Sequence, residues 1–104
     1  MSTQERIKKM VEDNRVFLFM KGTPDFPQCG FSMRAAAIVR ALDVPFESFD
    51  VLSDPEIRSG IKDYASWPSI PQLYINGQFV GGSDICMELW ENGELEKLVA
   101  AAKS

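Results

Sequence analysis

Cys29 lies where a turn-rich loop becomes a helix. The stretch Lys21-Gly22-Thr23-Pro24-Asp25-Phe26-Pro27-Gln28-Cys29-Gly30-Phe31-Ser32 follows the apolar run Val16 to Met20. It leads into Met33-Arg34-Ala35-Ala36-Ala37-Ile38-Val39-Arg40-Ala41-Leu42, whose composition is helical. A cysteine at that junction faces unpaired N–H groups and the positive end of the helix dipole. Such surroundings lower a thiol's pKa and populate the thiolate near neutrality. The chemistry on offer is that of a redox thiol or a soft-metal ligand. The alternative is a small side chain packed in a core.

Cys86 is the other cysteine, and its spacing from Cys29 is neither CxxC nor that of a metal finger. A reducing cytosol disfavours a permanent bridge between the two. The chain has no histidine. That excludes a Cys-His hydrolase and a histidine-liganded zinc site. One chain offers a metal at most two thiolates and some carboxylates. A soft-metal site therefore needs ligands from another chain or from a small thiol. Arg58 and Lys62, four apart, share one side of a helix. They form either a solvated face or a cationic wall for an acidic small molecule.

These residues need elements to hold them. With 104 residues, 45% of them hydrophobic, the chain reads as one domain, 1–104, with a core that needs no disulfide framework. A net charge of -4 argues against a cationic nucleic-acid binder. Val16 to Met20 is too short to span a bilayer. No apolar segment directly follows Met1 to Arg6, so no signal peptide is expected. The expectation is a cytosolic chain, or a mature one whose transit segment has been removed.

Ser2 to Glu5 resembles a capping box for a helix over about 3–13, with Ile7, Met10 and Val11 at helical spacing. Arg15 to Met20 is too uniformly apolar for a surface strand and reads as a central one, covered on both faces. Lys21 then sits at a strand's carboxyl end, where open α/β sheets bind ligands. Pro24 and Pro27 stiffen the loop 22–28. A helix over about 30–42 stops at Asp43-Val44-Pro45, and Phe46 to Asp50 is a short strand. The next helix is capped by Ser53 with Glu56, or by Asp54 with Pro55 in the first turn. Trp67-Pro68-Ser69-Ile70-Pro71 is a second rigid loop, and a proline before a strand can be cis. Gln72 to Ile75, Asn76-Gly77 and Gln78 to Val80 form a hairpin with a type I′ turn. Gly81-Gly82 allows close backbone approach. Ser83 or Asp84 caps a helix carrying Ile85, Met87, Leu89 and Trp90. Asn92-Gly93 breaks it before a last helix, 94–102. The order α-β-α-β-α-β-β-α-α predicts a mixed sheet covered by helices.

With Cys29-Gly30-Phe31-Ser32 in that setting, the sequence resembles the monothiol glutaredoxins of the thioredoxin fold, in their short form. The resemblance runs from about residue 3 to 102. It is carried also by Met20-Lys21-Gly22-Thr23-Pro24, Pro27-Gln28, Ile57-Arg58, Trp67-Pro68-Ser69-Ile70-Pro71-Gln72 and Gly81-Gly82-Ser83-Asp84. It implies an α/β, four-stranded mixed sheet flanked by helices, and a glutathione site beside Cys29. Lys21 would contact the tripeptide from the strand end. Arg58 and Lys62 would approach its glycyl carboxylate. Ile70, before a cis Pro71, would pair its backbone with the cysteinyl part. Gly82, Ser83 and Asp84 would take the γ-glutamyl end. Glutathione carries two carboxylates and one ammonium, to which these charges are complementary.

The resemblance further implies a 2Fe-2S cluster bridging a homodimer that is monomeric when apo. Cys29 of each chain and the thiolate of each glutathione would be its ligands, which meets the ligand deficit above. The role implied is glutathione-dependent cluster binding and transfer in iron-sulfur protein assembly, with scaffold, target and BolA-like proteins as partners. The compartment implied is bacterial cytoplasm or, in a eukaryote, an organelle matrix. Two departures bear on chemistry. Ser32 stands where dithiol relatives have a resolving cysteine, and a hydroxyl cannot resolve a mixed disulfide. Ser83 stands where many members have cysteine, with Cys86 three residues on. Cys86 is then either a packed side chain or a resolving thiol for Cys29. Besides cluster transfer, two classes stay open: a glutathione-dependent oxidoreductase acting on protein–glutathione mixed disulfides, and a non-catalytic interaction module.

Overall fold

The computed structural model describes residues 1–102. Val16–Met20 forms β1, and all five of its residues are buried. A strand without an exposed face needs cover on both sides. Successive side chains alternate between the faces. Val16, Leu18 and Met20 enter one core with Ala35, Val39, Leu73, Cys86, Leu95 and Val99. Phe17 and Phe19 enter another with Ile7, Val11, Ile57, Ile61 and Tyr74. The first core is roofed by α2 (Gly30–Ala41), α4 (Ser83–Glu91) and α5 (Glu94–Ala101). The second is roofed by α1 (Thr3–Glu12) and α3 (Pro55–Ala65).

The other strands are β2 (Glu47–Asp50), β3 (Gln72–Ile75) and β4 (Gln78–Gly81), in the order β2-β1-β3-β4. β1 runs parallel to β2 and antiparallel to β3, and β3 pairs antiparallel with β4. A parallel neighbour requires a crossover, here α2, which is why the cysteine loop must lead into a helix. The result is the four-stranded mixed sheet flanked by helices of the thioredoxin-like fold. Among the described residues no helix is long and apolar enough to cross a membrane.

Local signals explain the boundaries. Ser2 and Glu5 make the reciprocal bonds of a capping box, each 3.1 Å. Asn76 and Gly77 both have positive φ, 54° and 76°, as a type I′ turn requires. Asp54, not Ser53, caps α3: its Oδ1 accepts the N–H groups of Glu56 and Ile57 at 3.1 and 3.2 Å, with Pro55 at the first position. Ser53 instead ends a short 3-10 turn and donates to the Asp50 carbonyl at 2.7 Å. The start of α4 corrects the sequence expectation. Its cap is Gly82, Ser83 is already helical, and no side chain caps the helix. Ser83 and Asp84 are cap formers by type, but extended Gly82 takes the cap one residue earlier.

Gln72 is fully buried on the central strand β3, and a buried amide must find partners. Its Nε2 donates to the carbonyls of Trp67 and Ser69 at 3.1 and 3.3 Å, and its Oε1 accepts from Tyr74 Oη at 3.0 Å. Burial, and after it Tyr64, push the Tyr74 phenol above its usual range, so it stays a donor. The strand thus grips the 67–70 loop from inside the core. Tyr74→Phe keeps the ring and strands one buried acceptor. We expect it to lower stability by about 1–3 kcal/mol, read from urea unfolding. A midpoint equal to that of the native chain would show that the bond adds nothing.

Candidate functional site

Cys29 is the N-cap of α2, with extended backbone at φ -155° and ψ 156°. Its Sγ accepts the Ser32 N–H at 3.3 Å, as an N-cap side chain does. Ser32 is fully buried, and its Oγ accepts the Lys21 N–H at 2.9 Å. The intervening loop closes on itself. Gln28 N–H donates to the Lys21 carbonyl at 2.9 Å, and Phe26 N–H to the Thr23 carbonyl at 3.1 Å. Asp50 Oδ1 accepts the Gly22 N–H at 2.9 Å and pins the loop to the end of β2. Gly22 has φ +88°, and a Cβ there would collide with the Phe26 carbonyl and stand 2.8 Å from the Gln28 nitrogen. Only glycine fits.

This surrounding acts on the thiol's ionisation. Partial burial is the largest single influence and opposes the thiolate. It is outweighed by the Ser32 hydroxyl, the N–H groups of Ser32 and Phe31, and the positive charge of Lys21. The net effect holds the Cys29 pKa below the ordinary thiol value.

Beyond Phe31 lies a cavity of about 320 Å³, lined by Phe31, Trp67, Ser69, Ile70, Pro71, Gly82, Ser83, Asp84 and Ile85. The Ile70–Pro71 peptide is cis. A Cβ on Gly82 would stand 3.3 Å from both the Pro71 carbonyl and Trp67 Nε1, so the two walls meet closely there. Ser83 is 7% exposed, and neither its Oγ nor Trp67 Nε1 has a hydrogen-bond partner among the described residues. With no side-chain cap, the first N–H groups of α4 are left for an acceptor. The Asp84 side chain is 92% exposed and stands 3.9 Å from Arg34 Nη1 of α2.

Of the residues singled out from the sequence, Ile70, Pro71, Gly82, Ser83 and Asp84 share this cavity. Cys29 and Lys21 form a separate pair, coupled by charge. Arg58 is exposed and Lys62 half-buried on α3, and neither lines the cavity. Phe31 is 59% exposed beside the cysteine, whereas Trp67 is half-buried against Phe79, their rings 5.7 Å apart. Cys86 takes the packed alternative. It is buried in the core beside Gly81, and burial pushes its thiol up to about 12.

Sequence reasoning missed three participants. From sequence alone, Ser32 shows only the reaction it cannot perform, whereas in the structure it ties the strand end to the thiol. Gln72 carried a signal in the sequence: a polar side chain in an otherwise apolar strand. Arg34 carried none, since its place opposite Asp84 depends on how α2 and α4 pack.

A family model described as Glutaredoxin matches residues 16–80. An uncharacterized monothiol glutaredoxin, ycf64-like, of Synechocystis sp. is 55% identical over 100 residues, which cover 96% of this chain and 94% of that protein. Monothiol glutaredoxin-S7 of Oryza sativa subsp. japonica, a chloroplastic protein, is 52% identical over 96 residues, covering 92% of this chain and 57% of the rice protein. Among solved structures, the solution structure of reduced poplar apo GrxS14 superposes with a TM-score of 0.83 at 47% identity, covering 95% of this chain and 91% of that one.

The two thiols should separate cleanly in a pH-dependent alkylation experiment on the reduced protein. Cys29 should react with iodoacetamide with a midpoint below that of an ordinary thiol, because its thiolate persists to lower pH. Cys86 should react only after denaturant is added. Two thiols of equal reactivity in the folded chain would contradict both assignments.

Proposed function

This chain belongs to the monothiol glutaredoxins, with Cys29-Gly30-Phe31-Ser32 as its active-site tetrapeptide, and on that premise we propose that it binds glutathione beside Cys29 and carries a 2Fe-2S cluster between two copies of itself for delivery to other proteins. The observation that carries this reading is the single reactive thiol. Cys29 is partly exposed with a lowered pKa, while Cys86 is buried with a raised one. Among the described residues no group of three or more cysteines and carboxylates could hold a metal. A cluster wants four thiolates, so one chain must borrow ligands. Two Cys29 sulfurs and two glutathione thiolates make the set.

The cavity supports a tripeptide that carries charge at both ends. In this reading the γ-glutamyl part lies over Gly82 and Ser83, where uncapped N–H groups of α4 meet its carboxylate and Asp84 meets its ammonium. The cysteinyl part passes the Ile70–Pro71 backbone. Lys21 stands by the thiolate, and Arg58 and Lys62 serve the glycyl carboxylate. The chain is monomeric without the cluster and dimeric with it. Because half of the ligands are diffusible, the cluster is cargo, exchanged with an assembly scaffold, target proteins and BolA-like partners. The setting is bacterial cytoplasm or an organelle matrix, the second supported by the chloroplastic rice relative.

The lowered Cys29 pKa also favours a second reading, reduction of protein–glutathione mixed disulfides. The Cys29 thiolate attacks the glutathione sulfur of the mixed disulfide and releases the protein thiolate. A second glutathione thiolate then attacks the Cys29–glutathione disulfide, which frees Cys29 and forms glutathione disulfide. Ser32 cannot replace that second glutathione.

Anaerobic reconstitution with iron, sulfide and glutathione, followed by absorbance and sedimentation, separates the readings. We expect a cluster spectrum on a dimer that depends on glutathione. Cys29→Ser should abolish it, and Cys86→Ser should leave it intact. A cluster indifferent to glutathione, or lost in Cys86→Ser, would defeat the carrier reading. Robust turnover in a glutathione-coupled disulfide assay without cluster formation would promote the second.

A further inference from the structure

Arg34 belongs to α2 and Asp84 to α4, and they face each other beside Phe31. Phe31 lines both the 320 Å³ cavity and a shallower groove formed with Gly30, Met33, Arg34 and Ala37. The guanidinium and carboxylate are 3.9 Å apart, which is beyond hydrogen-bond reach. Their side chains are 47% and 92% exposed. Each charge therefore keeps its donors or acceptors for something else, and an exposed pair of this kind contributes little on its own.

We propose that Arg34 is a specificity-determining residue of this site, its guanidinium taking the α-carboxylate of the γ-glutamyl end while Asp84 takes the ammonium on the same carbon. The proposal rests on the reading of the cavity as a glutathione site. An amino-acid terminus places a positive and a negative group side by side. Set against an opposed Asp84 and Arg34, it closes a ring of four alternating charges in which each group has opposite neighbours. A ligand that lacks the carboxylate leaves its ammonium facing Arg34, which costs affinity. The guanidinium fork matches a carboxylate in shape, and the uncapped N–H groups of α4 add donors on the other side of the same carboxylate. Lys21, Arg58 and Lys62 line neither the cavity nor the groove, so they do not substitute for Arg34 here.

The competing role is simple neutralisation, in which Arg34 occupies Asp84 until a ligand displaces it. The two roles differ in sign. Removing a carboxylate partner weakens glutathione binding, whereas removing a competitor leaves it unchanged or tightens it. The test is titration calorimetry of the full reduced chain with glutathione and with 4-aminobutanoyl-cysteinylglycine, which lacks only the α-carboxylate. Arg34→Gln should bind glutathione about three- to fivefold more weakly and should not bind the analogue more weakly. Arg34→Lys should recover part of the loss. Equal or tighter glutathione binding by Arg34→Gln, or an equal loss for both ligands, overturns the proposal and leaves the glutathione site standing. Failure of the native chain to bind glutathione overturns both.

Discussion

A strand covered on both faces ends at Met20, and the next N–H, that of Lys21, finds its acceptor in the Ser32 hydroxyl eleven residues later. That part-buried bond fixes where the first turn of α2 meets the sheet. The same residue's N–H reaches Cys29 Sγ. The thiol is thereby referred to the most buried strand of the molecule through one side chain, and the loop between them has little freedom left. Gly22 and Asp50 remove most of what remains. A helix N-terminus lowers a thiol pKa only if the sulfur stays over the N–H groups, so the ionisation of Cys29 depends on this join.

The opposite wall is set by a second buried polar group. Gln72 leaves the core sheet only through its amide, which holds the carbonyls of Trp67 and Ser69. The loop that ends in Pro71 is therefore an extension of β3. Gly82 approaches the Pro71 carbonyl and the Trp67 indole closely enough that a side chain would crowd them. Two short polar devices, Ser32 and Gln72, tie the cysteine loop and the Trp67–Pro71 loop to the sheet. Ser83 Oγ and Trp67 Nε1, without partners among the described residues, lie where the walls converge.

What could be read from the sequence was what local physics decides. Val16 to Met20 reads as a doubly covered strand because no residue in it tolerates water. Asn76-Gly77 reads as a type I′ turn because few other pairs adopt positive φ twice. The caps were less legible. Ser53 and Asp54 are both competent by type; in the fold Asp54 caps the helix with one oxygen and meets Arg6, forty-eight residues away, at 3.0 Å with the other. At α4 the expected side-chain cap is absent, since Gly82 takes that position. Ser32 is legible only by elimination, which says what a residue cannot do and is silent on what it does. Arg58 and Lys62 share one helix, as their spacing predicts, but helical spacing does not say what they face.

The monothiol character has a consequence that both chemical readings share. Ser32 cannot form a disulfide, and Cys86 is held in the core with its thiol pushed up to about 12. Any bond that Cys29 makes to sulfur or iron must then be completed, and later released, by groups from outside the chain. A protein of this kind gains nothing from a deep, enclosed thiol. It needs an accessible sulfur, a lowered pKa and a nearby place to hold a small thiol. The exposed Phe31, the partly exposed Cys29 and the open cavity between α4 and the Trp67–Pro71 loop meet those three demands together. Whether the held thiol acts as a ligand or as an attacking group is then decided by what approaches from the other side. In both readings the fold supplies one half of every bond and leaves the other half exchangeable.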